Sequence, residues 1–135
     1  MNIFPITFKA STAIITNSDG KILILKRSWS HKSYPFFWQF PEGKPQPNEP
    51  ALDCAKRELY EETRIKCKLK YLKTMFFPIA FLGVKFAVIK RDVYMGQVAK
   101  SKVKLSQEHS KHVWITKEEL SKYCLVPGLK KALQG

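Results

Sequence analysis

The stretch GKPQPNEPALDCAKRELYEETRI, residues 43–65, limits this chain more than any other. Glu58, Glu61 and Glu62 stand at i, i+3 and i+4. On a helix their side chains project into one arc of about 100°. Three acids so close repel one another and any phosphate-bearing ligand. A divalent cation removes both penalties, and hard carboxylate oxygens suit Mg²⁺ or Mn²⁺, which bind through a few carboxylates together with substrate phosphates. Arg57 lies beside Glu58 and one turn before Glu61, where it can orient the acids. Gly43, Pro45 and Pro47 make the preceding segment a loop whose backbone can pass close to a ligand. Charges at helical spacing are usually a solvated face with weak ion pairs. That ordinary reading suits any one of these glutamates better than it suits the set.

Gly43, five residues, Glu49, seven residues, then Arg57-Glu58-Leu59-Tyr60-Glu61-Glu62 resembles the signature box of the Nudix hydrolases. Five charged residues, one glycine and two apolar positions at fixed spacing are far more specific than a lone glycine-rich motif. The resemblance implies an α/β fold, an α/β/α sandwich with a mixed sheet. It implies Mg²⁺- or Mn²⁺-dependent cleavage of a diphosphate linkage. It makes Glu58 and Glu62 metal ligands, Glu61 a ligand or near-ligand, and Gly43 the donor of a backbone carbonyl. Glu49 and Arg57 become structural partners within the box. Such enzymes often bring one more glutamate from a loop before the last strand, and Glu108 is the best match against an ordinary surface acid. The general base is then a box glutamate or Glu108. A Glu-His pair ahead of a Trp-containing strand also resembles the diadenosine-tetraphosphatase and nucleotide-pyrophosphohydrolase branches. One position departs: Arg64 stands where the family has glycine, and a left-handed helix end would cost an arginine about 1 kcal/mol.

At 135 residues with 44% hydrophobic and 13% aromatic content, the chain is expected to fold as a single domain over 1–135. No run of 18 apolar residues occurs and the first residues lack a signal-like apolar core, so a soluble, cytoplasmic protein without membrane contact is expected. Cys54, Cys67 and Cys124 are odd in number and form no CxxC pair; they read as free thiols in a reducing compartment. The net charge of +13 favours polyanionic ligands and is compatible with RNA. A lysine-rich solvated surface accounts for it equally well.

In chain order, residues 8–16 and 22–27 read as a hairpin closed by Asn17-Ser18-Asp19-Gly20. ILILKR suits a strand buried on both faces. Lys26 and Arg27, at that strand's end, are candidates for phosphate or base contacts. Trp29, Tyr34 and Trp38 belong to an aromatic loop and short strand that either pack in the core or stack on a nucleobase. Asn48 is the expected N-cap of a helix ending near Thr63 or Arg64, with Leu52, Ala55 and Leu59 on its buried face. Strands are expected over 66–75, 81–91 and part of 93–105. Pro78 and Gly83 mark an interruption or a bulge, Gly96 lies near a turn, and alternating lysines at 66, 68, 70 and 100, 102, 104 form wet faces. His109 and His112 read as surface residues. Thr116 and Glu119 form a capping box for a short helix, and Pro127 opens a final one.

Three functions follow from these residues. The first is hydrolysis of (deoxy)nucleoside triphosphates or dinucleoside polyphosphates by a monomer or homodimer. The second is removal of pyrophosphate from RNA 5′ ends. The third is a non-catalytic module that binds RNA or a partner.

Overall fold

The computed structural model describes residues 6–81, 84–99 and 102–134. Strands β1 (Ile6–Thr16) and β2 (Ile22–Arg27) are joined by the expected turn. There Asn17 Oδ1 accepts the backbone N–H groups of Asp19 and Lys21 at 3.0 Å each, and Gly20 takes the left-handed conformation at φ +74°. The hairpin holds only at this closed end, where Thr16 pairs with Ile22. Beyond it the strands fork. Strand β3 (Trp38–Gln39) pairs with β2, and β4 (Glu42–Gly43) pairs with β1. The polypeptide carrying the box therefore enters the sheet as a wedge between its first two strands.

The rest of the sheet is mixed. Strand β6 (Val84–Gln97) runs parallel to β1 from Ala87 opposite Ile6 to Gln97 opposite Thr16. Strand β5 (Lys70–Phe81) pairs antiparallel with β6, and β7 (His109–Ile115) antiparallel with β2. Ile22 to Leu25 are buried as a strand with two covered faces should be. Ile22 and Ile24 join Ile14, Phe40, Val93 and Leu129 on one face. Leu23 and Leu25 join Ala13, Ile15, Ala55 and Leu59 on the other. Each of the Ile, Leu, Val and Phe side chains among them contributes about 1.5–3 kcal/mol by burial. Helix α1 (Ala51–Thr63) covers the second face. The first is covered by 3₁₀ segments Glu118–Lys122 and Leu129–Leu133, through Leu120, Leu129 and Ala132. The expected α/β/α sandwich thus has one layer of 3₁₀ turns in place of α-helix. The capping box is made: Glu119 N–H donates to Thr116 Oγ1 at 3.3 Å and Thr116 N–H to Glu119 Oε1 at 3.0 Å. No helix among the described residues is long and apolar enough to cross a membrane.

Three sequence expectations are corrected. The N-cap of α1 is Pro50, extended at φ −62°, ψ 148° and without a side-chain cap, and not Asn48. Pro50 disfavours helix at the residue before it, while Asn48 is used at φ +62° in the loop. Second, 66–69 are irregular and β5 begins at Lys70; the strand runs on past Pro78, with a register shift just after it, between Ile79 and Ala80. Strand β5 ends the sheet order, and on an edge a proline forfeits no ladder bond. Gly83 and Lys100 lie outside the described residues. Third, residues 93–97 continue β6 and 102–106 form no strand, so Gly96 sits within β6 rather than at a turn. A Cβ on Gly96 would lie 2.7 Å from Cys67 Sγ and 2.9 Å from Leu69 Cδ2, so close packing explains this glycine. The three cysteines are unbonded.

Arg64 closes α1 at φ 65°, ψ 12°, its N–H donating to the Tyr60 carbonyl at 2.8 Å. Its guanidinium lies over the Tyr60 ring at 5.1 Å, but Lys66 Nζ is there too, at 4.8 Å. The left-handed backbone costs about 1 kcal/mol, whereas an exposed cation–π contact offers about 0.5–1 kcal/mol and survives through Lys66. Arg64→Gly is therefore expected to raise stability by up to about 1 kcal/mol, and Arg64→Val to lower it. Urea denaturation of the three proteins checks the order; a destabilised glycine variant would contradict it.

Candidate metal and catalytic site

The fork between β1 and β2 delivers Gly43 to the side of α1, with Ser11 and Thr12 facing Gly43 and Glu42 across the β1–β4 pairing. The Glu58 carboxyl occupies the space that a Cβ on Gly43 would take. One turn further along α1, Glu62 is only 1% exposed. Its Oε1 accepts the Glu42 N–H at 3.4 Å, and its Oε2 has no hydrogen-bond partner. Burial raises its pKa well above the usual carboxylate range, and the neighbouring Glu58 and Glu108 add to this. A carboxylate held this way keeps a proton or takes a cation.

Arg57 ties the acids together. Its Nε and Nη2 bond the two oxygens of Glu49 at 2.8 and 2.9 Å, and its Nη1 bonds Glu58 Oε1 at 2.9 Å. This fork-on-carboxylate geometry holds Glu49 down to about 2 and raises the arginine. Glu61 also meets Arg57, at 3.3 Å, but its side chain is 53% exposed on the outer side of the helix. The structure thus brings Glu58, Glu62 and the Gly43 backbone together and sets Glu61 apart.

A cleft of about 310 Å³ opens over this group. Its lining combines Glu42, Gly43 and Glu58 with Arg27, His31 and Glu108, and with Lys9 and Lys44. Glu108 is exposed, and its carbonyl accepts the Ser28 N–H at 2.9 Å. Arg27 is fixed by Gln39 Oε1, by His31 Nδ1 at 2.8 Å and by the Ser33 carbonyl at 2.9 Å. Burial lowers the pKa of both Arg27 and His31. Among the described residues no three acidic, histidine or cysteine side chains already form a metal cage. The donors fit an incomplete cage: all are oxygens, one buried oxygen lacks any partner, and ions such as Mg²⁺ complete their shells with water and phosphate oxygens.

Other residues singled out in the sequence lie elsewhere. Lys26 and Trp38 are cross-strand partners, and strand alternation turns them away from Arg27 and Gln39, to the face opposite α1. Lys26 Nζ lies 6.0 Å from the Trp38 ring, and Trp38 meets Tyr123 edge-on at 5.1 Å. Trp29 is 77% exposed, and Tyr34 packs on Phe37 at 5.3 Å; neither lines the cleft. His112 is exposed, as expected. His109 is not a surface residue: it is buried, its Nε2 4.0 Å from Glu62 Oε1. Burial, with His31 and Arg27 nearby, lowers its pKa to about 4. A register shift between Lys26 and Arg27 turns His109 inward opposite Arg27, and no periodicity in the sequence signals it. Glu42 was also missed. It joins Thr12 Oγ1 at 2.9 Å and Arg91 Nε at 3.0 Å, partners 30 and 49 residues away.

A family model described as NUDIX domain matches residues 7–134. An RNA pyrophosphohydrolase of Bartonella henselae is 31% identical over 110 residues, 74% of this chain and 61% of that protein, so the match spans less than two thirds of that relative. The crystal structure of a MutT protein from Methanosarcina mazei Go1 superposes with a TM-score of 0.82 at 27% identity, over 97% of this chain and 93% of that one. A C. elegans Ap4A hydrolase binary complex superposes with a TM-score of 0.70 at 25% identity, over 94% of this chain and 93% of that one.

Gly43→Ala is expected to displace the Glu58 carboxyl from its position. It should alter metal-ion binding, read by calorimetry with Mn²⁺, more than it alters Tm. The Glu49–Arg57 pair has an acid signature. With a folded pKa of about 2 against an ordinary 4.5, Glu49 stabilises the fold fully above about 4.5. Between 4.5 and 2 the unfolded chain binds a proton that the folded chain does not, so stability falls as pH falls. Glu49→Gln should flatten that limb of the Tm–pH curve; an unchanged limb would contradict the assignment.

Proposed function

The chain belongs to the NUDIX family, and from that premise we propose that it is a Mg²⁺- or Mn²⁺-dependent pyrophosphohydrolase that cleaves a diphosphate linkage in a nucleoside polyphosphate. The carrying observation is the buried, unpartnered Oε2 of Glu62 in a group with Glu58 and the Gly43 backbone. Glu58, Glu62 and the Gly43 carbonyl would hold the cation, with Glu61 on the outer side as a lesser contributor. The bound ion would offset charge on the diphosphate oxygens and make a water more acidic.

The remaining work belongs to the protein's own groups. Arg57 keeps Glu58 from swinging into solvent, and Glu49 keeps Arg57 in place. Glu108 lines the same cleft as Glu58 and is in no ion pair among the described residues. It is assigned the water's proton. Arg27, Lys9 and Lys44 present positive charge to the phosphates. Three unbonded cysteines accord with a cytoplasmic protein.

A second reading takes the 5′ end of RNA as the polyphosphate. RNA pyrophosphohydrolases among the relatives and the net charge of +13 support it. The test of the activity comes first. Glu58→Gln and Glu62→Gln should each lower kcat about 100-fold or more while circular dichroism and Tm are preserved, and chelation should abolish turnover. Near-normal hydrolysis of nucleotides and dinucleoside polyphosphates by both variants would end the proposal. Absence of any metal-dependent turnover in the native chain would leave a binding module instead.

A further inference from the structure

A second, larger groove of about 660 Å³ lies beside the catalytic cleft and shares two residues with it, Lys9 and Lys44. Its floor is sheet surface beyond the start of α1. Lys9 of β1 faces Lys90 of β6 in the parallel register, and Lys90 faces Phe76 of β5 in the antiparallel register. Cross-strand partners share a face, so Phe76, Lys90 and Lys9 form one row that ends at the catalytic cleft. Phe76 is 63% exposed, and no apolar layer covers it among the described residues.

The charges in this row are uncommitted. Among the described residues Lys9, Lys44 and Lys90 make no ion pair. The two acids of the groove are engaged elsewhere: Asp92 Oδ1 accepts the Thr74 hydroxyl at 2.6 Å, and Glu49 is held by Arg57 at 2.8 Å. Cations spaced along a groove, with the exposed ring of Phe76 just outside it as the cross-strand neighbour of Lys90, suit a chain of phosphates carrying flat bases. A lone nucleotide in the cleft would have no use for Phe76.

The geometry points to single-stranded RNA as the occupant: the groove carries the nucleotides that follow a 5′ polyphosphate seated in the cleft, with phosphates on Lys44, Lys9 and Lys90 and a base on Phe76. This rests on the hydrolase reading for what happens in the cleft, but the groove can be tested apart from it. The variants are Lys90→Ala and Phe76→Ala, both outside the cleft, with Lys90→Arg as the conservative control.

Binding is read with a 3′-labelled, 5′-hydroxyl RNA decamer, which has no anhydride to cleave, without divalent metal. Lys90→Ala should weaken binding and reduce the slope of log K against log[NaCl] by about 0.7, and Lys90→Arg should restore both. Phe76→Ala should weaken binding roughly fivefold or more with the salt slope unchanged. Hydrolysis of free GTP should be unaltered in all three, while KM for 5′-triphosphorylated RNA should fall as it lengthens from one to six nucleotides in the native protein and not in Phe76→Ala. Unchanged affinity in both alanine variants, or competition by polyglutamate equal to that by RNA, would overturn the groove. Loss of RNA binding in the variants of a chain that hydrolyses no nucleotide would support the groove and overturn the hydrolase reading alone.

Discussion

A carboxylate taken out of water costs several kcal/mol unless something replaces the water, and at Glu62 little does. One oxygen receives a single long hydrogen bond from the Glu42 backbone; the other receives none. The neighbouring imidazole of His109 lies in surroundings that keep it neutral, so it offers no full charge. The fold tolerates this because the rest of α1 is strongly anchored: Ala55 and Leu59 are buried against β1 and β2. Glu62 follows Ala55 by seven residues and Leu59 by three, so it shares their stripe of the helix, and the burial of that stripe carries the acid to where it is poorly solvated. Such a group is unfavourable for stability and well suited to capture a cation.

Arg57 does the opposite work. Where Glu62 is under-satisfied, Arg57 is bonded at every turn, to Glu49, Glu58, Glu61 and the Lys44 carbonyl. It links the loop ahead of the helix to the helix itself, so the Gly43 segment and the Glu58 carboxyl keep one relative position. The fork of β1 and β2 supplies the space for that segment. Had the two strands stayed paired along their length, β4 would have no edge of β1 to join, and the Gly43 backbone would not reach α1.

Local and helical features were legible in the sequence because their causes are local. The Asn17–Gly20 turn rests on an Asn side chain bonding its own backbone two and four residues on. The acids of α1 rest on a period that any helix imposes, and the left-handed end at Arg64 follows from the glycine the box would otherwise carry. Features made by distant strands were not legible. His109 is turned inward by a register shift against β2; Glu42 finds Arg91 from another strand; Lys9 and Lys90 become neighbours only because β1 and β6 run parallel. The face taken by Lys26 and Trp38 was hidden for the same reason: proximity in sequence to Arg27 and Gln39 says nothing about face until the pairing is known. The alternating lysines at 66–70 have the period of a strand, but 66–69 are irregular and of these lysines Lys70 alone enters β5, because Cys67 and Leu69 pack beside Gly96 rather than pairing with a strand.

The free margin of β5 also bears on how copies of this chain can meet. An open strand edge is a template for another strand, and self-association by that route aligns backbone donors with backbone acceptors. Pro78 removes one donor from β5, and the exposed Lys70 would bring like charge into the seam. Continuous sheet extension across two molecules is thereby discouraged, which favours side-chain surfaces over the sheet margin for any pairing of copies.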